Sequence, residues 1–245
     1  MPGSITLDNL TLGYDRHPAV HHLTGTIDSG ALLAVVGPNG GGKSTLLKAI
    51  AGLITPMEGR ITVGASRRSV GYLPQVAEID RSFPISVYEF VAMGAYAVTG
   101  LFGGLTPRTK VRIEHAIAAV GLSGLERRTI AALSGGQMQR ILFARLLMQD
   151  ASIVLIDEPF NAIDEATTAD LLALVRRWHA EGRTIVAVLH DLAMVRTAFP
   201  HTLLLARECI GWGTTQTVLT ESALATARAR MTPSGTPDVV REEAA

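Results

Sequence analysis

Apolar and polar positions alternate along two segments near the start of the chain and then give way to short, purely apolar runs. The alternation covers residues 5–14 (ITLDNLTLGY) and 20–28 (VHHLTGTID), which predicts two half-buried antiparallel strands. The apolar runs lie at residues 31–36, 153–156 and 184–189. Each is short enough for a strand, and together they predict a buried parallel sheet.

Helical spacing of apolar residues dominates the chain between residues 86 and 149 and is clearest at 112–128 (RIEHAIAAVGLSGLERR). A further helix is predicted at 166–182, between two of the apolar runs. Strands that alternate with helices predict an α/β fold. We therefore expect one domain over residues 1–230, with a small antiparallel β region at its start and a helical subdomain inserted at about 86–149. Residues 231–245, rich in Pro, Gly and charge, predict a disordered tail.

Residues 37–45 (GPNGGGKST) fit the phosphate-binding pattern G-x-x-x-x-G-K-[ST] and lie between a predicted strand and a predicted helix. This arrangement directs backbone N–H groups and the positive end of a helix dipole at one point, where polyphosphate can bind. Gly40, Gly41 and Gly42 let the backbone approach closely. Lys43 is expected to reach the β- and γ-phosphates, and the Ser44 hydroxyl to ligate Mg²⁺. The remaining nucleotide contacts predicted in this loop are Gly37, Asn39 and Thr45.

Two adjacent carboxylates follow the apolar run at 153–156. Open α/β sheets bind ligands at the carboxyl ends of their strands, so these side chains are expected near the phosphates. Asp157 suits the holding of Mg²⁺, and Glu158 suits the general base that polarises the attacking water. Taken alone, the segment could be a strand that merely ends in an acidic turn. The phosphate-binding pattern alone leaves kinases, GTPases, helicases and transport ATPases open.

The string LSGGQ at residues 133–137 resolves this choice, because it resembles the signature of the nucleotide-binding ATPase subunits of ABC transporters. Segments similar to that family run from about Ile5 to Ala227. The resemblance implies a P-loop NTPase (RecA-like) core, ATP and Mg²⁺ as cofactors, and a head-to-tail homodimer. The residues after the glycine pair have helical character, so the string lies at a helix N-terminus that can bind an anion. The resemblance directs this end, with Ser134, Gly135, Gly136 and Gln137, at the γ-phosphate held by the other subunit.

Four more site residues are carried over from the same resemblance. Tyr14 matches the aromatic residue that stacks on adenine, although a tyrosine on a strand face is the simpler interpretation. Gln75 matches the glutamine that contacts Mg²⁺ and the attacking water and senses the membrane partner. Asp164 matches the loop aspartate that communicates across the dimer, and His190 matches the histidine that contacts the γ-phosphate and Glu158. Three positions depart from the commonest family pattern without removing a catalytic group: Gly41, Met138 and Asn161.

Composition agrees with a globular enzyme and excludes some partners. The chain has 245 residues, 47% of them hydrophobic, which suffices for one sizeable core. Its 22 basic and 22 acidic residues balance, so there is no electrostatic footprint for nucleic acid. Cys209 is the single cysteine, which fits a strand residue in a reducing cytosol. Neither a signal peptide nor a run of eighteen apolar residues is visible. The resemblance to ABC transporter ATPase subunits then implies a peripheral protein on the cytoplasmic face of the cell membrane.

The transported substrate is indicated only indirectly. Residues 69–94 (SVGYLPQVAEIDRSFPISVYEFVAMG) are similar to the ATPases of zinc and manganese importers, with zinc favoured, and are expected to grip a multi-span permease. Such a system would also include an extracytoplasmic metal-binding protein. Iron-chelate and haem importer ATPases share part of the pattern, and a soluble ABC ATPase of iron–sulfur cluster assembly is a further alternative. His17, His21 and His22 are expected to be surface histidines, with a metal sensor as the alternative.

Overall fold

Two β-sheets form the framework of the protein. The computed structural model describes residues 3–66, 69–96, 104–161 and 163–231. The strands are β1 (Ile5–Tyr14), β2 (His17–Ile27), β3 (Leu32–Val36), β4 (Glu58–Val63), β5 (Val70–Leu73), β6 (Ile153–Asp157), β7 (Thr184–Val188), β8 (His201–Ala206) and β9 (Glu208–Thr214). One sheet has the order β2-β1-β4 and the other the order β5-β6-β7-β3-β8-β9. The predicted α/β fold is confirmed.

The helices of the described residues lie on and between these sheets. They are α1 (Lys43–Ile50), α2 (Val87–Ala92), α3 (Pro107–Ala119), α4 (Gly135–Gln149), α5 (Glu165–Ala180), α6 (Leu192–Ala198), α7 (Thr215–Val218) and α8 (Glu221–Ala229). Short 3₁₀ turns occur at Val76–Glu78, Met93–Ala95 and Ile130–Ala132. Within the described part of the chain, no helix is both long and apolar enough to cross a bilayer.

The first sheet begins with the predicted antiparallel pair β1–β2. Tyr14 pairs with His17, and the two residues between them, Asp15 and Arg16, both have positive φ, at 46° and 64°. Two such residues make the hairpin turn whose twist matches that of the flanking strands. His22 also has positive φ, at 49°, and the register shifts nearby, so regular alternation of side chains does not extend through this histidine. His17 and His22 are exposed, and His21 is half-buried.

The second sheet is parallel except for β9, which pairs antiparallel with β8. Its central strands β3, β6 and β7 are buried along their whole length. Each fully buried Val, Leu or Ile contributes about 1.5–3 kcal/mol relative to an exposed one, so these strands anchor the fold. Ile156 pairs with Ala187, and Val35 pairs with Val188. This register brings the carboxyl ends of the three strands to a common edge.

The region between β5 and β6 contains α2, α3 and α4, as the helical periodicity predicted. These helices pack on one another through buried apolar residues such as Phe90, Ile113 and Phe143. Residues 91–96 are helical, and residues 97–103 lie outside the described residues. The predicted tail lies almost wholly outside them as well.

Candidate nucleotide site

The phosphate-binding loop connects β3 to α1 and forms one wall of an open cavity of about 320 Å³. Gly42 caps the helix with φ of 90°. A Cβ at this position would lie 2.3 Å from a methyl group of Val20 and 2.6 Å from the carbonyl oxygen of Ala19, so only glycine fits. The cavity is lined by Ala19, Asn39, Gly40, Gly41, Gly42, Lys43, Ser44, Thr45, Gln75 and Glu158. The N-terminal amides and dipole of α1 make its floor suitable for an anion.

The ammonium group of Lys43 lies within this loop. Its Nζ donates hydrogen bonds of 2.9 Å to the carbonyl oxygens of both Gly37 and Pro38. Burial lowers the pKa of Lys43, and the nearby charges of Glu158 and Asp157 oppose that shift. A buried cation with only neutral carbonyl partners retains most of its capacity to attract an anion. The side chain is therefore suited to binding a phosphate oxygen that enters the cavity.

Three side chains predicted to hold Mg²⁺ meet beside Lys43. Oδ1 of Asp157 accepts a hydrogen bond of 3.0 Å from Oγ of Ser44 and one of 3.5 Å from Nε2 of Gln75. Nε2 of Gln75 also lies 3.2 Å from the Ser44 hydroxyl. A hydroxyl, a carboxylate and an amide that can present its oxygen are hard oxygen ligands of the kind Mg²⁺ prefers. The residues present thus fit this ion.

The Asp157 carboxyl is completely buried at the end of β6. Burial raises its pKa, and the hydrogen bonds from Ser44 and Gln75 oppose the shift. A buried carboxylate is costly unless a cation or several donors compensate it. Its environment therefore favours a bound cation.

Tyr72 is a member of this site that sequence reasoning missed. Its hydroxyl donates to Oδ2 of Asp157 at 3.4 Å, on the side opposite Ser44. Burial and the Asp157 charge raise the pKa of Tyr72 far above its ordinary value, so the phenol remains protonated as a donor. Ala19 was missed too, since it enters the cavity from the other sheet. The sequence assigned neither residue a role, because only the three-dimensional fold brings them to this site.

Glu158 occupies a strained position directly after β6. Its φ is 50°, which is uncommon for a residue with a side chain, and its N–H donates to the carbonyl oxygen of Val188 at 3.2 Å. Oε1 lies 2.7 Å from Nε2 of His190, so the predicted Glu158–His190 contact is present. Oε2 accepts a hydrogen bond of 2.5 Å from Nδ2 of Asn161. The sequence had offered Asn161 only as a departure from a family pattern.

The signature string forms the start of α4. Ser134 is the N-cap residue: its Oγ accepts from the N–H of Gln137 at 3.2 Å, and Oε1 of Gln137 accepts from the N–H of Ser134 at 3.1 Å. This reciprocal pair is a capping box. A Cβ on Gly135 would meet no atom within 4 Å, so the space before the helix is open. Among the described residues, the phosphate cavity of the same chain is not lined by any part of this string.

Tyr14 and Asp164 also lie outside the described lining of the cavity. The Tyr14 side chain, at the end of β1, is 49% exposed, which leaves a ring face available for stacking. Asp164 is the N-cap of α5 and accepts hydrogen bonds of 2.8 Å from both the N–H and the hydroxyl of Thr167. These bonds lower the pKa of Asp164. Its visible role is thus to begin a helix.

The segment that follows Gln75 is joined to the segment that precedes the signature. The guanidinium of Arg81 donates to the carbonyl oxygens of Leu133 and Ile130. The N–H of Ile130 donates to the carbonyl oxygen of Ile85 at 3.0 Å, and the N–H of Val87 donates to that of Arg128 at 2.8 Å. Side-chain and backbone bonds therefore connect these two parts of the helical subdomain.

The histidine cluster near the β1–β2 turn does not assemble into a ligand set. Nδ1 of His22 bonds to Oδ1 of Asn9 at 3.0 Å, and the ring centroids of His21 and His22 are 6.4 Å apart. Across the described ranges, no three His, Cys, Asp or Glu side chains are grouped as metal ligands.

Comparison with known proteins gives a consistent family. The family model described as "ABC transporter" matches residues 20–161. The zinc transport system ATP-binding protein TroB of Treponema pallidum is 39% identical over 223 residues, which cover 89% of this chain and 84% of TroB. The manganese transport system ATP-binding protein MntB of Listeria monocytogenes is 37% identical over 223 residues, covering 89% of this chain and 93% of MntB.

Solved structures agree at the level of the fold. A chain from an inward-facing transporter described as of metal-chelate type superposes with a TM-score of 0.81 at 30% identity, covering 92% of this chain and 89% of the other. The dimeric bacterial ABC transporter cassette MJ0796 superposes with a TM-score of 0.77 at 25% identity, covering 86% of this chain and 98% of the cassette.

Proposed function

This chain belongs to the ABC transporter family and is an ATPase of a transport system, and we propose that it drives the import of a divalent metal ion. In this proposal two copies form a head-to-tail homodimer on the cytoplasmic face of the membrane. The dimer binds a separate multi-span permease, which receives the ion from an extracytoplasmic binding protein. Zinc is the favoured ion and manganese the next.

One observation carries the enzymatic part of the proposal. Ser44, Gln75 and Asp157 meet within 3.5 Å at the loop that holds Lys43, and Glu158 lines the same cavity. Phosphoryl transfer to water needs positive charge at the phosphates and a positioned base at the water. Residues at the carboxyl ends of β3 and β6 are suited to these two tasks, which supports the proposal.

Each residue then has a distinct task. The amides of the phosphate-binding loop and the Lys43 ammonium bind the β- and γ-phosphates of ATP and neutralise charge that shifts towards the leaving group. Mg²⁺, when held by Ser44, Asp157 and Gln75, would add a second positive charge at these oxygens. Glu158 orients the attacking water and accepts its proton, and His190 fixes one oxygen of that carboxylate. The Tyr14 ring stacks on adenine.

A second copy of the chain completes the site. The N-terminus of α4 carries the amides of Gly135 and Gly136, and such a helix end attracts an anion. Because the described lining of the cavity lacks these residues, they are available to the γ-phosphate bound by another subunit. The similarity to MJ0796, whose structure is described as dimeric, supports this arrangement. Asp164, the N-cap residue of α5, would contact the partner subunit in this dimer.

The composite site is tested with Glu158→Gln. This variant should bind ATP, hydrolyse it only at a residual rate, and accumulate as an ATP-dependent dimer in size-exclusion chromatography, because water activation is blocked while the phosphate contacts persist. Adding Ser134→Arg should return it to monomer, since a bulky cation would occupy the helix start. Glu181→Gln, a surface change of the same kind, serves as the control. Dimerisation that does not depend on nucleotide would contradict the composite site.

The metal substrate is proposed from similarity to named relatives. TroB, a zinc system protein, and MntB, a manganese system protein, resemble the chain to nearly the same degree. Similarity therefore does not distinguish zinc from manganese as the substrate, and an experiment is needed. Deletion of the gene should impair growth under zinc limitation, with rescue by added zinc and poorer rescue by manganese or iron. Expression of wild type should restore growth, whereas expression of Lys43→Ala should not. Rescue by manganese alone would transfer the assignment to that ion, and rescue by iron alone would favour the iron-chelate alternative.

A soluble ABC ATPase of iron–sulfur cluster assembly is the remaining alternative. The two classes differ in their partners, because an importer subunit binds a permease with many membrane spans. Affinity purification from detergent-solubilised membranes should recover such a permease. Recovery of soluble partners in its place would favour the assembly function while leaving the ATPase chemistry unchanged.

A further inference from the structure

The Glu158 carboxylate is held at both oxygens. His190 binds Oε1 at 2.7 Å, and the amide of Asn161 donates to Oε2 at 2.5 Å. Glu158 lies between two cavities: it lines the phosphate cavity, and it also lines a second cavity of about 630 Å³ to which Asn161 and His190 contribute. The two donors therefore approach the carboxylate from the side away from the phosphate-binding loop.

We propose that Asn161 is a positioning residue that fixes the orientation of the Glu158 carboxylate for hydrolysis. This inference rests on the proposed role of Glu158 as the general base. A carboxylate with a single partner can rotate about its terminal bond, and its lone pairs then point in varying directions. Donors on both oxygens hold the plane of the carboxylate. Each oxygen retains a further lone pair, so one of them can accept the proton of a water molecule in the phosphate cavity.

The backbone alone does not fix this side chain. Glu158 has a strained φ of 50°, and its N–H donates a hydrogen bond to the carbonyl oxygen of Val188. Asn161 follows three residues later and is itself exposed, so its amide is not buried for reasons of packing. The short hydrogen bond to the charged carboxylate therefore explains the position of this exposed polar side chain. Asn161 thus acts on the reaction through Glu158 and does not need to touch the nucleotide.

The effect expected on catalysis is confined to the chemical step. Displacement of a catalytic group by about 1 Å can cost on the order of 100-fold in rate. Asn161→Ala should therefore lower kcat by about 10- to 100-fold and leave KM for ATP unchanged. Asn161→Asp keeps the shape but replaces the donor with an oxygen, and it should lower kcat at least as far, because two like charges would face each other. Thr197→Ala, which alters the same second cavity without a bond to Glu158, is the matched control.

A double variant separates positioning from a general structural role. In single-turnover assays, Asn161→Ala added to Glu158→Gln should change the residual hydrolysis by less than about twofold, since its effect passes through the carboxylate. The same double variant should still form the ATP-dependent dimer. An unchanged or increased kcat in Asn161→Ala, or an equal loss in the Glu158→Gln background, would overturn the inference. Absence of hydrolysis in wild type under these conditions would instead count against the proposed function.

Discussion

Lys48, one turn beyond the phosphate-binding loop on α1, forms an ion pair with Glu78, whose Oε1 lies 2.7 Å from its Nζ. Glu78 ends the 3₁₀ turn that follows Gln75. The pair therefore ties the helix that carries Ser44 to the segment that carries Gln75. Ser44 and Gln75, two of the three residues of the proposed Mg²⁺ site, lie on these two elements, so the ion pair links the elements that carry them.

Loss of this ion pair should have a small, pH-dependent effect on the stability of the fold. The hydrogen bond to Glu78 raises the pKa of Lys48. A lysine whose pKa is higher in the folded protein stabilises the fold at pH values below the pKa of the unfolded chain. This stabilisation is lost as the pH rises through the pKa of the folded protein. Lys48→Met should lower Tm near neutral pH, and the difference from wild type should shrink above about pH 10.4. The expected change in stability is less than about 1 kcal/mol, since the pair is partly exposed. A Tm difference that is constant with pH would contradict this account.

Lys43→Ala should reduce ATP hydrolysis by at least about 100-fold, because a fixed positive charge at the phosphates is removed. Lys48→Ala should reduce it far less, since Lys48 lies outside the described lining of the phosphate cavity. The measurement is steady-state phosphate release by the purified chain with Mg²⁺. Lys110→Ala, on the exposed face of α3, controls for loss of a lysine. Equal turnover in Lys43→Ala and wild type would rule out the assigned role of this loop.

Asp157→Asn should increase the stability of the Mg²⁺-free protein and abolish its activity. Burial raises the pKa of this carboxyl, so its ionised form is less favourable in the folded protein than in the unfolded chain. The variant should therefore raise Tm in the absence of Mg²⁺, by an amount corresponding to about 1 kcal/mol, and abolish Mg²⁺-dependent hydrolysis. Calorimetry with and without Mg²⁺-ATP checks both parts, because only wild type should gain Tm with the complex. A lower Tm for the variant without Mg²⁺ would oppose this interpretation.

Phe83→Asp should uncouple transport from hydrolysis. Phe83 is 61% exposed in the segment proposed to grip the permease, so the change leaves the isolated subunit folded but buries an unpaired charge in the contact. Metal uptake in cells should fall while hydrolysis by the purified subunit stays within about twofold of wild type. Tyr88→Asp is the less clean variant, because Tyr88 packs against the core and its N–H bonds to the carbonyl oxygen of Glu126. Ser82→Asp provides a control for charge alone at this exposed loop.

The sequence predicted the parts of the site that lie in short motifs. Residues 37–45 combine strand, glycine turn and helix within one segment, so local pattern was sufficient for the phosphate-binding loop. The contacts of Tyr72 and Asn161 could not be predicted, because the first depends on strand pairing and the second on the backbone conformation of a turn. Tyr72 meets Asp157 only when β5 pairs with β6, and the positive φ of Glu158 follows from a turn that no residue preference indicates. Strand β8 was also not identified, since its apolar run at residues 203–206 is too short for periodicity to distinguish a strand from a helix.

The first residues of α4 serve both to begin the helix and to form the proposed phosphate contact. Ser134 and Gln137 hold the first turn of the helix together, and removal of such a cap costs about 0.5–2 kcal/mol. Their neighbours Gly135 and Gly136 are the residues proposed to bind the γ-phosphate of ATP held by a second copy of the chain. Natural selection for folding alone would thus retain serine and glutamine here, even in a chain that had lost its partner. The presence of serine and glutamine at these positions is therefore explained by helix initiation as well as by the proposed ATP contact.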